Sequence, residues 1–451
     1  MFKLFSATLV TLLIPALGWS ANLSASSPHE TVPFETSFQL RVSGGVSPYR
    51  YQVTYGAATV SASGKITTGS KNGQVKVLVY DSKNKKVMVR FRVLKTAVLG
   101  SAPVPANPEP SPSPAPSPAP APVAEKLFKV PAQAPKACKW EERIDCESFK
   151  YARKIDVRSA AELKTALADL RAGDLVSVAS GVYSGLFVIT LKASSAAYVC
   201  AEKGAVIDGG NYKSGYGLYL NKASNIVVSG LAVRNVQKGV MMDGGQNLVL
   251  HNMTVSGVGD EAVHFRNNTQ NSVISRSKIL DAGLYQPDFG EGVYLGSSKN
   301  KWCPSGTNCG EPDRSDCNLV SENYISNVKA ESIDVKEGTQ NNVIAENEFE
   351  GSGMTGAYAD SFIDVKGNLT YVLNNKGVAG QCGSKSCQLN GFQTHIAVAG
   401  WGDKNVFSGN RLSGDFAGPV VGLQKALSNV VHCDNTADNG VAAANAVCVN
   451  P

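Results

Sequence analysis

A six-residue unit recurs down the last 230 or so residues of the chain: Asn, two apolar residues, two polar residues, then Asn again. It is clearest at Asn247 to Asn252, Asn318 to Asn323, Asn342 to Asn347 and Asn405 to Asn410, and several intervals between copies are about 22 to 24 residues. Each copy follows a short alternating strand. The period is too long for a coiled coil, and the runs are rich in Val, Ile and Asn without helical spacing. Each repeat therefore reads as one coil of an all-β fold, the right-handed parallel β-helix. Coils of such a helix stack about 4.8 Å apart, so residues at matching places in successive repeats form columns.

The beginning of the chain predicts its compartment. Met1 to Ser20 carries Lys3, an apolar stretch from Leu9 to Leu17 and small residues at Gly18 and Ser20, the layout of a secretory signal peptide. The stretch is too short to span a bilayer stably, no later run is long enough, and no Cys follows the apolar core as a lipid-attachment site requires. A secreted, periplasmic or cell-envelope protein without membrane insertion is expected, as a monomer. Its 10 Cys fit an oxidising compartment, whereas Cys303, Cys309 and Cys317 lack the paired spacing of a zinc site. Cys382 with Cys387 and Cys433 with Cys448 each bracket a short loop and are the expected bridges.

Composition breaks where a domain boundary belongs. Residues 101–123 are almost entirely Pro, Ala and Ser, which bury too little apolar area to fold and make an extended spacer. Upstream, short alternating runs (Ser37 to Val42, Tyr49 to Val53, Val75 to Tyr80) are separated by Gly44-Gly45, Ser63-Gly64 and Asn72-Gly73. They predict a small immunoglobulin-like β-sandwich serving as a spacer or envelope module. The expected division is a signal peptide at 1–20, the sandwich at 21–97, a linker at 98–135 and the β-helix at 136–451. A net charge of +6, from 43 Lys and Arg against 37 Asp and Glu, is spread along the chain. No basic stripe interleaved with aromatics points to nucleic acid, and an acidic partner is favoured only weakly.

The second domain opens with a helix. Ser159 and Glu162 form a capping box, Leu163, Ala166, Leu167 and Leu170 share one face, and Gly173 is the expected C-cap. Such a helix covers the open first coil, whose strand edges would otherwise be exposed. Beyond it, the alternating strands align into columns. Inward pairs run from Leu218 and Leu220 through Val263 and Phe265, Ile333 and Val335, Ile363 and Val365, and Ile396 and Val398, to Val421 and Leu423. One outward column reads Tyr219, Met241, His264, Tyr294, Asp334, Asp364, Ala397, Gly422. The next reads Asn221, Asp243, Arg266, Gly296, Lys336, Lys366, Ala399, Gln424. Glu261, Glu291, Glu331 and Asp360 precede the strands, with His395 near the same edge. Charge is concentrated on the central coils, which marks a functional groove.

The segment ESIDVKEGTQNNVIAENEF, with Glu331, an alternating strand, Lys336 and an Asn-rich turn, resembles the alginate lyase and chondroitinase B family of β-helix polysaccharide lyases. The next coil, DSFIDVKGN, places Lys366 where that family has an Arg, and Lys329 stands where it has a second calcium-binding Glu. The resemblance is loose over residues 155–200 and better over 331–375. It implies a calcium-binding Glu331 and a catalytic Lys336.

The residues support the same chemistry independently. β-Elimination from a uronic-acid polymer requires neutralising the sugar carboxylate, removing the proton beside it and expelling the 4-oxygen. Lys336 is the candidate base if a nearby cation, Lys366, Arg266 or a bound metal, lowers its pKa. Glu331, Asp334, Asp360 and Asp364 offer hard oxygen ligands for calcium. His264 and His395 are acid or base candidates and Tyr294 a proton donor to the leaving oxygen; Glu291 and Trp401 are substrate-binding candidates. A ladder pairing Lys336 with Asp364 and Lys366 with Asp334 is the purely structural alternative. A polygalacturonase-type hydrolase needs closely placed Asp carboxylates and a Gly-His-Gly turn, neither of which appears, and a non-catalytic adhesin is the remaining class.

Overall fold

The computed structural model describes residues 23–27, 31–43, 46–93, 95, 125–302, 310–356, 359–382, 385–386 and 388–451. The expected signal peptide, the 101–123 stretch and the Cys382–Cys387 bridge lie outside the described residues. The chain divides into two compact units, within 1–118 and 119–451.

The first unit is a small β-sandwich. Strands Thr31–Val32, Arg50–Tyr55, Gly73–Tyr80 and Lys86–Val93 form a four-stranded sheet, and Ser37–Gln39, Ala58–Val60 and Lys65–Thr68 a three-stranded one. Val75, Val77 and Val79 alternate inward from Gly73–Tyr80, and Val89, Phe91 and Val93 from Lys86–Val93. They meet Phe38 and Ile66 from the other sheet, with the Phe38 and Phe91 rings edge to face at 5.1 Å.

The second unit is a parallel β-helix of three sheets. The first sheet holds eleven strands from Arg153–Val157 to Val430–Val431, the second ten from Gly181–Ser184 to Thr436–Ala437, and the third nine from Phe187–Ile189 to Val421–Leu423. The interior is a column of aliphatic and Phe side chains. Stacked rings at Phe349 and Phe362, 5.4 Å apart, fill its C-terminal half. The helix Ala160–Ala168 seals the first coil with Leu163, Ala166 and Leu167, and its Ser159–Glu162 capping box forms as expected. Its C-cap is Asp169 rather than Gly173, which takes φ +81 in the turn that follows.

The Asn units sit at the corners. Each brackets a first-sheet strand, as Asn318 and Asn323 do Leu319–Ser321. The Asn323, Asn347, Asn375, Asn410 and Asn435 side chains form a buried ladder, each of the last four accepting the preceding Asn's backbone N–H at 3.0, 3.0, 2.9 and 3.2 Å. Their amides donate to backbone carbonyls of the preceding coil, Asn347 to Val320 at 2.9 Å for example. The Asn side chains thus pair backbone groups where the chain turns out of the ladder.

Residues 125–135, expected as the end of the linker, pack instead on the outer face of the first sheet. Leu127 and Phe128 are buried there against Tyr198, Val249, Val273 and Leu319. Disulfides Cys138–Cys317 and Cys146–Cys200 fasten this strap to the coils, and Cys433–Cys448 closes near the C-terminus as expected. The outer face of the first sheet is as apolar as a core, which explains the strap: uncovered, it would expose a stripe of Val, Leu and Tyr.

Candidate active site

The outer face of the third sheet carries the charge. Its register places Tyr219, Met241, His264, Tyr294, Asp334, Asp364, Gln393 and Gly422 in one column. The expected Ala397 is replaced by Gln393, because the strand of that coil is Phe392–Thr394 and not Ile396–Val398. Phe392 lies in the interior between Ile363 and Val421, and the Ile396 segment is left as loop. The same correction moves His395 from the Glu edge to the other end of the strand. It follows Thr394 as Lys366 follows Val365 and Lys336 follows Val335, so the second column runs Arg266, Gly296, Lys336, Lys366, His395.

Successive coils interlock opposite charges. Lys336 Nζ lies 2.7 Å from Asp334 Oδ2, Lys366 Nζ lies 2.8 Å from Asp334 Oδ1 and 2.5 Å from Asp364 Oδ2, and His395 Nδ1 lies 2.8 Å from Asp364 Oδ1. The carboxylates are 3% and 4% exposed and the lysines 14%, so each charge is largely withdrawn from water and depends on its partners. Of the ladder alternative, the Lys366–Asp334 pair forms and Lys336–Asp364 does not.

The electrostatics differ from expectation at Lys336. Burial lowers its proton affinity, but the charge and hydrogen bond of Asp334, with the charges of Glu291 and Glu337, together outweigh burial and hold the ammonium above the ordinary lysine range. Lys366 is raised in the same way, by Asp334 and Asp364. Lys336 still lowers Lys366 by repulsion, but Asp334 and Asp364 outweigh it. Arg266 does not lower Lys336, because Asp243 takes its guanidinium at 2.9 and 3.1 Å and Gly296 separates it from Lys336 by two coils, roughly 9–10 Å. Burial raises Asp364, but Lys366 and His395 bring it down to about 2. The bond to Asp364 raises His395.

Three carboxylates converge beside Lys336. Glu291, Glu331 and Asp334 each offer an oxygen within 4.8 Å of the others, all buried. Burial, then Glu261 and Asp334, push Glu291 well above the usual range, and burial with Asp334 pushes Glu331 up to about 7. Glu291 Oε2 is buried without a hydrogen-bond partner. This set of hard carboxyl oxygens, crowded together and with one of them unpaired, fits calcium. The cluster brings in Glu291, expected only as a substrate contact, and leaves out two expected ligands. Asp360 is held by Gln393 Nε2 at 2.5 Å, and Asp364 is committed to Lys366 and His395. The signal for Glu291 was its place two residues before a strand, in line with Glu331.

Tyr294 and His264 flank the cluster on the N-terminal side. The Lys336 ammonium lies 5.1 Å from the centre of the Tyr294 ring. Burial, Asp334 and Glu291 push the Tyr294 phenol well up, so it keeps its proton. His264 meets Tyr294 edge to face at 4.4 Å. Burial drives His264 down to about 4, and its Nε2 is bonded to the Gly296 carbonyl at 2.8 Å, which leaves it neutral and not poised as an acid. Trp401 lies in the turn Gly400 to Gly402. Among the described residues no hydrogen bond, ion pair or ring contact joins it to the lysine cluster.

Comparison with known proteins agrees with this architecture. Residues 189–309 match the family described as right handed beta helix region. No curated protein sequence matches the chain. Among solved structures, an alginate lyase from Paenibacillus sp. str. FPU-7 is 32% identical, with a TM-score of 0.60 over 65% of this chain and 99% of that one. The pectate lyase Pel9A is 13% identical, with a TM-score of 0.46 over 66% and 80%. A GH136 lacto-N-biosidase from Eubacterium ramulus is 11% identical, with a TM-score of 0.44 over 62% and 60%. An identity of 32%, spread over 99% of the Paenibacillus protein, means that this chain belongs to the right-handed parallel β-helix family of that alginate lyase.

Proposed function

We propose that the protein is an exported polysaccharide lyase that cleaves a uronic-acid-containing polysaccharide by β-elimination, with Lys336 as base and Tyr294 as acid. The observation that carries this reading is the meeting of a lysine amine, a protonated phenol and a buried carboxylate cluster on one sheet face. The alginate lyase among the structural relatives supports the substrate class, and the disulfides support export.

In the proposed step the neutral Lys336 amine takes the proton on the sugar carbon beside the carboxylate. The freed electron pair becomes the ring double bond as the bond to the 4-oxygen breaks, and the Tyr294 hydroxyl gives its proton to that oxygen. Lys366 and His395, next to Lys336 in the same column, neutralise the substrate carboxylate, and Arg266 serves the flanking sugar. Glu291, Glu331 and Asp334 would hold calcium. Such an ion, when bound, neutralises the sugar carboxylate and draws off the Asp334 charge that keeps Lys336 protonated.

A carboxyl raised to about 7 at Glu331 also suits the acid of a glycoside hydrolase. The products separate the two. Incubation with alginate, pectate, glucuronan and glycosaminoglycans should yield ultraviolet-absorbing unsaturated uronate from at least one polymer. Reducing ends without that absorbance would establish hydrolysis, and neither product would leave a binding protein.

A further inference from the structure

The charge that reads as spread along the chain falls almost wholly on the first unit once the two are taken apart. Residues 22–97 carry 11 Lys and Arg against 3 Asp and Glu, whereas residues 119–451 carry 31 against 33. We propose that the four-stranded sheet of the sandwich is a docking surface for the acidic polysaccharide, which it holds across its outer face for the second unit to cleave. The assignment places a polymer-binding surface outside the β-helix, and it rests on the lyase reading for the class of polymer.

Alternation builds the face. Val75, Val77 and Val79 point into the sandwich from Gly73–Tyr80, and Val89, Phe91 and Val93 from Lys86–Val93, so the residues between them point out. The register then sets Arg92 beside Gln74, Arg90 beside Lys76 and Tyr55, and Lys86 beside Tyr80 and Arg50. Five cations and two tyrosines share one side of the sheet. They come from three strands, and so form no basic stripe in the sequence itself. The described carboxylates of the unit stand elsewhere. Glu35 lies in the turn before Ser37–Gln39, and Asp81 is buried and accepts the backbone N–H groups of Val46, Lys83 and Lys85.

Lys76 and Arg90 are directly opposed across two strands, and like charges so placed destabilise a sheet. A surface shaped for solubility alone intersperses both signs, whereas an anionic polymer relieves the repulsion. The tyrosines select the chemistry. Tyr55 is 61% exposed with the Lys76 ammonium 5.5 Å from its ring centre, and the Arg50 guanidinium lies 5.4 Å from the centre of the Tyr80 ring. A ring beside a cation meets both parts of a uronate, the C–H side of the sugar and its carboxylate. The second unit gains from such a surface. Its own groove cations are already matched, Lys336 and Lys366 by Asp334 and Arg266 by Asp243, so they exert little long-range pull on a polyanion. A polymer held by one unit of the chain stays at raised local concentration for the other.

The test is titration calorimetry of the full chain carrying Lys336→Ala with polymannuronate, polygalacturonate and their carboxyl-reduced counterparts, at about 50 mM salt, where surface charges are only partly screened. Adding Lys76→Gln with Arg90→Gln should weaken both polyuronates about tenfold and leave the weaker binding of the reduced polymers unchanged. A control that removes the same charge from outside the face, Lys65→Gln with Lys71→Gln, should cost less than about twofold. Melting points at or above the parent's establish folding, since the face variant lifts a repulsion. Equal losses in the two double variants, no loss in the first, or no polyuronate binding at all would overturn the docking surface. Tighter binding to single-stranded DNA or to phosphatidylglycerol vesicles than to either polyuronate would overturn it too, and would give the face to a nucleic acid or a membrane. Binding is read without turnover, so a parent that made no unsaturated product would sink the lyase reading alone.

Discussion

Lys336 and Asp334, two residues apart on one strand end, form a 2.7 Å ion pair whose carboxylate is shared with Lys366 on the next coil. Residues i and i+2 of a strand point to the same side, and the coil spacing brings the neighbouring Lys within reach. The repetition of Ile-Asp-Val-Lys at 333–336 and 363–366 therefore creates an alternating stack of charges rather than two like-charged patches. The stack keeps Lys336 positioned and, in the absence of substrate, protonated.

Lys336→Ala should abolish product formation while the protein stays folded. The side chain points out of the coil and contributes nothing to the interior, whereas loss of a general base costs about 10² to 10⁴-fold in rate. Initial rates of unsaturated-uronate release on the best polymer decide it. A folded variant as fast as the parent would exclude Lys336 as the base.

Lys366→Met should lower stability more than Lys336→Ala does. Lys366 neutralises two carboxylates, Asp334 and Asp364, both buried, and removing it strands Asp364 with His395 alone. Breaking a buried pair from one side costs about 3–5 kcal/mol, because the remaining charge has no solvent to turn to. Thermal unfolding compared across the two variants measures the difference; equal melting points would mean that solvent already reaches these carboxylates.

Much of this was legible beforehand because a β-helix turns sequence period into spatial columns. Asp334 beside Asp364 and Lys336 beside Lys366 followed from aligning the strands, and the register reproduces both. The alignment failed one coil later, at 392–394, where Phe-Gln-Thr lacks the β-branched pattern of its neighbours and Ile396 to Val398 has it. Burial volume, set by the Phe349 and Phe362 rings alongside, chose the aromatic strand, and a pattern of polarity does not carry volume. Charge coupling was also hidden. A column places Lys366 near Lys336 but does not say that Asp334 lies between their ammonium groups, and that position reverses the direction in which Lys336 titrates. The outer strap was invisible for a simpler reason, since Leu127, Phe128 and Val130 stand in a short run before Pro131 and Pro135 that shows no strand or helix period.

That strap should prove essential to stability. Cys138 and Cys317 close a loop of sequence separation 179, and a chain-entropy treatment puts such a bridge at about 5 kcal/mol. A Cys138→Ser, Cys317→Ser double variant should melt at lower temperature and bind an apolar dye below its melting point, as Leu127 and Phe128 lift from the first sheet. An unchanged melting point with no added dye binding would show that packing alone retains the strap.

Calcium should stabilise the protein more at pH 8 than at pH 5. Folding raises Glu331 from 4.5 to about 7, so this carboxyl binds its proton more tightly in the native state. Its contribution to stability is fully present below about 4.5 and is lost as the pH rises through about 7, a change of roughly 3 kcal/mol for a shift of this size. Glu291, raised for the same reason of burial beside other carboxylates, acts in the same direction. A cation held by Glu291, Glu331 and Asp334 competes with those protons. It gains nothing where the carboxyls are protonated and most where their mutual repulsion is greatest. Melting curves with millimolar calcium and with a chelator, at both pH values, should show the larger calcium gain at pH 8, and Glu291→Gln should reduce it. Equal gains at the two pH values, or no effect of the chelator at pH 8, would exclude a cation at these three carboxylates and leave Lys366 and His395 to neutralise the substrate.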